Sequence, residues 1–489
     1  MKKIQICTLL IIGLLCMVMP MAAQVTANGA ITGTVTDKNG AVVVGADVVL
    51  SDPAVNFSRS TQTDSNGNYR FDSLGAGSYT VKISKTGFAT SSADKVEALV
   101  GRTTTQNFQL KTGAITETIE VTATAPLVDQ EKTSVSQEIT PEQVQDLPLV
   151  GRDAANLAYL VPGVKAADSY DPTKSRYAVP SVNGSSGRNV NMTVNGIDNK
   201  DNTIGGTVMQ LPLEAVQEFV VSTQRFSAAN GRSEGAAINV ITKSGTNLWH
   251  GSAFGFFRDK ALNALNYNEI QNGGVKGAYS RQFFGGSIGG AIKKDKLFFF
   301  FAIERQRENT SIAENATAST QLALVTSLGA VPWTSVPTPF FENRHNGRLD
   351  YKINNKNTAY LSYSMQANNS LNDQAGASGD STEGNFTKNH LQIANFTVNS
   401  LLSSTLVNTF TGGFQYWNNL IASLYSTVGY KGFGMRDPSN DRYCQDSKHR
   451  MQLAMLVVGL LYSSSFAAKF RFLVHKSWMQ TMQPHSSHS

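Results

Sequence analysis

Residues 29–111 read as short runs in which every second position is apolar. Tyr69 and Phe71 oppose Arg70 and Asp72, and Tyr79, Val81 and Ile83 oppose Thr80, Lys82 and Ser84. Burial with a period of two, broken by turn signals such as Asn39-Gly40, predicts the strands of a small β-sandwich. The stretch "ITETIEVTATAPLVDQ" that follows is β-rich and then polar, an extended connector. Helix signals come next. Thr140, Pro141 and Gln143 form a capping-box pattern that Pro148 closes, and a second short helix is expected over Asp153–Leu160 before Pro162-Gly163. Val-Asn-Gly occurs at 182–184 and again at 194–196, each a turn between short strands. A strand is expected over Glu218–Gln224. In the next one Ile238, Val240 and Thr242 alternate with Asn239, Ile241 and Lys243, as in a domain surrounded by water.

Past Gly245 the pattern keeps its period but changes its vocabulary. Aromatic residues alternate with Gly, Ser and Ala in "HGSAFGFF", and "RQFFGGSIGGAI" repeats the habit. Strands with one apolar and one polar face follow. Leu297, Phe299, Phe301 and Ile303 share a face, as do Leu349, Tyr351 and Ile353, then Ala359, Leu361, Tyr363 and Met365, then Leu406, Phe410, Phe414 and Tyr416. Phe298 and Phe300 interrupt the polar face of the first, and the stretch 388–399 changes phase near Ala394. About seven strands are counted. Apolar-out, polar-in alternation suits the wall of a transmembrane barrel, although a soluble sandwich with one wet face alternates in the same way. The glycine clusters make no phosphate-binding P-loop. From Gly432 the alternation stops, and the tail holds four of the seven histidines and Cys444.

Composition narrows the class. Only 16% of the 489 residues are charged, against about 25% in ordinary domains, yet the mean hydropathy is −0.20. Polarity therefore comes from Asn, Ser, Thr, Gln and 41 Gly, as in turn-rich β proteins. The net charge of +6 is scattered, so no nucleic-acid partner is expected. Lys2, Lys3 and the apolar run Leu9–Val18 before "MPMAAQ" read as a secretory signal peptide over 1–23. The mature chain then keeps Cys444 alone, which excludes an internal disulfide and a CxxC metal site. No cofactor is expected.

Residues 29–111 resemble the carboxypeptidase-regulatory-like domain, a prealbumin-like sandwich grouped with carbohydrate-binding-like folds. The residues that carry this are Gly33, Val35, Asp37, Gly40, Gly45, Ala46 and Val48, then Thr63, Asp64, Gly67, Tyr69, Phe71, Leu74, Gly77, Tyr79, Val81, Gly87 and Phe88. It implies no peptidase. Further on, Leu147-Pro148 with Gly151-Arg152, "LVPGV" at 160–164, "VNGIDN" at 194–199, "EAVQEF" at 214–219, "GRSEGAAINVITKSGTN" at 231–247 and "HGSAFGFFRD" at 250–259 resemble the plug-to-barrel region of TonB-dependent outer-membrane receptors of the Oar-like branch. The resemblance implies a mainly β chain: an N-terminal prealbumin-like β-sandwich at 29–111, an α+β plug domain at 115–245, and the start of an incomplete transmembrane β-barrel at 246–430. Residues 431–489 then read as an anomalous tail, a frameshift or truncation product, because seven strands cannot close round a plug and family members use twenty-two.

The same resemblance implies a cell outer-membrane location, a TonB-type energy-transducing protein and outer-membrane lipid as partners, and an unidentified substrate, with carbohydrate among the candidates. The TonB box is placed at Glu117, Thr118, Ile119, Glu120, Val121, Thr122 and Ala123, where an exposed strand would pair with the transducer through its backbone. The Asx-rich stretch Asp198, Asn199, Asp201 and Asn202 lacks calcium-loop spacing and reads as a turn. The function expected is uptake by an outer-membrane receptor; a surface or periplasmic binding or adhesion protein is the alternative. An enzyme is not expected: His250, His345 and His390 have no partner at metal spacing and no nucleophile motif is present.

Overall fold

The computed structural model describes residues 28–113, 118–122, 135–149, 151–167, 179–201, 205–224, 226, 231–271, 273–313, 335–373, 385–403, 406–423, 452–462, 466–467 and 470–474. The signal peptide expected over 1–23 lies outside them.

The first unit holds strands β1 (Gly29–Asp37), β2 (Asp47–Asp52), β3 (Phe57–Gln62), β4 (Asn68–Leu74), β5 (Gly77–Ser84), β6 (Thr90–Ala98), β7 (Thr103–Thr105) and β8 (Phe108–Leu110). β1 pairs with β4, β7 and β8, and the facing sheet runs β3-β2-β5-β6. Tyr69, Phe71 and Tyr79 are buried between the sheets with Ile31, Val48, Leu50, Val81 and Ile83. Those three rings therefore form core and offer no platform for a sugar. Tyr69 donates its hydroxyl to Gln106 O at 2.6 Å, and burial raises its ionisation far above the ordinary range. The expected connector is extended but not loose. Strand β9 (Thr118–Thr122) runs parallel to β6, with Thr90 opposite Thr118 and Asp94 opposite Thr122, and ends that sheet.

The central unit begins with β10 (Val135–Ile139) and helix α1 (Pro141–Asp146). Thr140 Oγ1 accepts from Gln143 N while the Gln143 side chain accepts from Thr140 N, so the capping box closes as its residues require. The second helical segment, Ala154–Leu160, is a 3-10 helix capped by Asp153. Then come β11 (Val164–Ala166), β12 (Pro180–Val182), β13 (Val190–Val194), β14 (Ile197–Asp198), β15 (Val216–Gln224) and β16 (Ala236–Thr242). Their sheet runs β10-β15-β16-β13-β14, with β13 and β16 parallel. β16 is buried along its whole length. Ile238 and Val240 enter the unit's core, while Ile241 packs on the other side with Val100 of the sandwich.

Among the described residues the chain then forms seven strands of ten or more residues between His250 and Ser423. They are β17 (His250–Asp259), β18 (Tyr279–Lys293), β19 (Leu297–Ala313), β21 (Phe340–Lys352), β22 (Asn357–Leu371), β23 (Asn385–Ser403) and β24 (Leu406–Ser423), with short β20 (Ser335–Pro337) beside β19 and helix α2 (Tyr267–Gln271) between the first two. All long neighbours are antiparallel. The tail, where sequence alternation fails, still contributes β25 (Gln452–Tyr462), β26 (Phe466–Ala467) and β27 (Phe470–Val474) at the β24 edge. An unpaired edge is a template for any extended run of β-prone residues, and this one includes Val457 and Val458. Among the described residues the sheet does not return to β17.

Register settles the faces. Glu304, Arg344, Gln366, Leu391 and Trp417 lie opposite one another across β19 to β24 and share the inner face. Phe301, Ile303, Leu349, Tyr351, Leu361, Tyr363 and Phe396 are exposed on the outer one. The phase change expected near Ala394 does not occur: β23 pairs continuously through it. Leu391 and Ile393 are inner residues that enter the central unit's core, so apolar side chains appear on both faces of one unbroken strand. Phe298 and Phe300 also point inward, and Phe300 packs on Ala215. The polar face is interrupted where Leu391, Ile393 and Phe300 pack against the central unit.

Candidate functional site at the interface of the central unit and the sheet

The turn from β16 into β17 is tight. A Cβ on Gly245 would lie 2.2 Å from Phe299 O and 2.8 Å from Gly290 O, so no other residue fits there without moving backbone. The central unit is thereby folded back against the inner face. Gly413 on β24 answers it, since a Cβ there would lie 2.4 Å from the Ile197 Cδ1 of the central unit.

Between these approaches lies a buried chain of charges. Arg152 takes a positive φ of 48° directly after Gly151, which turns its side chain toward β19. Its Nε donates to Glu304 Oε2 at 3.0 Å and its Nη2 to Glu214 Oε1 at 3.3 Å. Its guanidinium lies 4.0 Å from the centroid of the Phe254 ring, a face that attracts a cation. Glu304 is shared: its other oxygen accepts from Arg344 Nη1 at 3.0 Å. Arg344 also donates to Glu342 Oε2 through Nε at 2.8 Å and to Arg152 O at 3.2 Å. Gln366 donates to Glu342 and accepts from Gln210 N at 2.7 Å, bringing the chain back to the central unit. Glu304, Glu342 and Arg344 are each at most 2% exposed.

A second contact lies nearer the short turns. Arg348 is bound to Asp350 through two of its nitrogens, at 3.0 and 2.7 Å, and donates to Thr242 O at 2.8 Å. Asn195, at the second Val-Asn-Gly turn, is held by Thr242 at 3.0 Å and reaches Ser362 at 3.4 Å. Both contacts are polar and directional. They fix register between the units beside the apolar contacts of Leu391 and Ile393 with the central core.

The sandwich covers the same end. Val100 N donates to Glu218 Oε1 of the central unit at 2.9 Å, and Arg102 lies 3.8 Å from Glu138. Lys352 Nζ donates to Asn56 O at 2.5 Å, and Asn247 N to Ala54 O at 2.8 Å. A cavity of ≈ 200 Å³ remains among the three units, lined by Asp52, Tyr79, Gln217, Ser244, Asp350 and Tyr360. Burial raises the Asp52 carboxyl above its usual range, against hydrogen bonds from Ala54 and Val55.

Of the box residues, Thr118, Ile119, Glu120, Val121 and Thr122 form β9, while Glu117 and Ala123 lie outside the described residues. They are not part of the charge chain. Arg152 stood in the family motif without a role. Glu304, Glu342, Arg344 and Gln366 were missed, although charged side chains on alternate positions of two β-strands, on one face, announce a buried polar partner. In the Asx-rich stretch, Asp198 pairs with Arg232, and Asn199 holds the Met209 backbone through two bonds of 2.9 Å.

Residues 30–111 match the family described as carboxypeptidase regulatory-like domain. Residues 241–326 match the one described as outer membrane beta barrel domain. The TonB-dependent transporter Oar of Myxococcus xanthus is 29% identical over 301 residues, which cover 57% of this chain and 27% of that relative. Among solved structures, the outer membrane transporter YddB from Escherichia coli aligns with a TM-score of 0.47 at 12% identity, over 59% of this chain and 40% of that one. The siderophore receptor PirA from Acinetobacter baumannii aligns with a TM-score of 0.41 at 15% identity, over 68% and 46%. This chain thus carries a carboxypeptidase regulatory-like domain and an outer membrane beta barrel domain, and it is similar over 301 residues to a TonB-dependent transporter.

Proposed function

We propose that the chain works in energy-coupled uptake, with residues 115–245 as a plug and 246–430 as barrel wall. The observation that carries this reading is the buried chain Arg152–Glu304–Arg344–Glu342, which ties the central unit to the sheet by charge-assisted hydrogen bonds. Such bonds are strong when dry and exchange readily with water once a path opens. A plug must be closed yet extractable, and a polar seam meets both demands. The pull would be applied at Glu117–Ala123. There β9 ends its sheet with one backbone edge turned away from β6, and an energy-transducing partner could add a strand. The short turns at 294–296 and 353–356 lie at the sandwich's end and the long connections at the other, matching periplasmic turns and extracellular loops. A substrate would enter from the loops.

The test is binding of the purified periplasmic domain of a TonB-type transducer to the intact chain in detergent. Removal of Thr118–Thr122 is expected to weaken binding at least tenfold. Equal binding by both forms would overturn the assignment of the box.

A further inference from the structure

The sandwich is fastened to both of the other units, and the two fastenings are unlike. Toward the central unit the contact is dry. Val100 packs with Val220 and Ile241, and all three are buried. Val100 N also donates to both oxygens of Glu218, at 2.9 and 3.2 Å, and Glu218 is 1% exposed. Arg102 and Glu138, both largely buried, stand beside this patch.

Toward the sheet the contact is wet. Lys352 Nζ donates to Asn56 O and Asn247 N to Ala54 O, and Ala54 and Asn56 are both exposed. Asn28 Nδ2 reaches Asn399 Oδ1 at 3.2 Å. Asn247 is itself pinned to Asp295, in the turn between β18 and β19, by bonds of 2.7 and 2.8 Å, so it stays with the sheet. Among the described residues no buried apolar cluster joins the sandwich to the sheet. Part of the facing area is the cavity lined by Ser73 and Tyr79 of the sandwich and by Tyr360 and Asn399 of the sheet. Exposed polar bonds pass to water with little loss, whereas parting a dry contact returns apolar area to water. The contact with the sheet is the one that opens first.

Strand β9 gives this asymmetry a direction. It is paired along β6 from Thr90 to Asp94, and β6 ends at Ala98, just before Val100. A pull on β9 therefore reaches the sandwich and then, through Val100, Glu218 of the central unit. Resting on the reading of β9 as the point of pull, we propose that the sandwich is the handle of the central unit. Under load it leaves the sheet at Asn28, Ala54 and Asn56, stays on the central unit at Val100 and Arg102, and moves with it as one body. The contacts with the sheet are a catch that releases before the charges around Glu304 are drawn on.

The test needs no transducer, so its outcome is independent of whether β9 is the box. Spin labels are placed in the intact chain in detergent, in a Cys444→Ser background, and distances are read by pulsed dipolar spectroscopy. Lys82→Cys with Gln145→Cys spans sandwich and central unit, and Lys82→Cys with Asn355→Cys spans sandwich and sheet; all three positions are exposed. As urea is raised, the sandwich-to-sheet distance is expected to broaden first, while the sandwich-to-central-unit distance stays narrow. Lys352→Ala should move the first transition to lower urea and leave the second in place. Val100→Ala and, separately, Arg102→Gln should move the second and leave the first. Parting of the sandwich from the central unit before the sheet would overturn the proposal. So would loss of both distances at one urea concentration, or a second transition that neither Val100→Ala nor Arg102→Gln moves.

Discussion

Arg344 sits where water hardly reaches, between the carboxylates of Glu304 and Glu342. Taking one member from such a group leaves the others charged and buried, at a cost of about 3–5 kcal/mol. Arg344→Gln is therefore expected to lower the thermal midpoint of the chain in detergent markedly. Arg70→Gln, which breaks the half-exposed pair with Asp72, should change stability by less than about 1 kcal/mol. Equal effects would mean that the interior chain of charges is not what holds the central unit. At this scale the sequence was partly legible. Period-two alternation identified Tyr69, Phe71 and Tyr79 as core, because a side chain's facing along a strand follows from parity alone. It could not pair Arg152 with Glu304, since that contact joins positions 152 residues apart and depends on how two units dock.

At the scale of elements, alternation found the long strands and misjudged where one of them met protein. Inner apolar residues of β23 read as a change of phase because sequence records only that a side chain is buried, not whether lipid or the central unit covers it. The glycine pair on β24 gives this a test. Gly413 faces the central unit, whose Ile197 would meet any added side chain, whereas a Cβ on Gly412 would find only the Phe410 ring at 3.9 Å. Gly413→Val should cost about 1–3 kcal/mol by overpacking, read as a lower thermal midpoint. Gly412→Val should stay within about 0.5 kcal/mol. Equal costs would place Gly413 away from that contact. The strand Thr118–Thr122 was legible as extended but not as paired, because β-propensity carries no address for its partner.

For the molecule as a whole, the sandwich, the central unit and the sheet meet through polar contacts and small apolar ones such as Val100 on Ile241, and the central unit is held to the inner face by the charges around Glu304 and by Leu391 and Ile393. The likeness to TonB-dependent transporters, the fold class and the outer-membrane location were legible because ordered motifs carry them. The seam that would make a plug releasable was not, because it exists only when three units are assembled. The central claim is that this seam opens under energy. Ser362 is 2% exposed, on the inner face of β22 beside Asn195, so a cysteine there would be hidden while the seam is closed. In cells carrying Ser362→Cys with Cys444→Ser, labelling by a membrane-impermeant maleimide should rise when the inner membrane is energised. It should fall to background with a protonophore or after removal of Thr118–Thr122. Labelling that is the same under all three conditions would contradict the account.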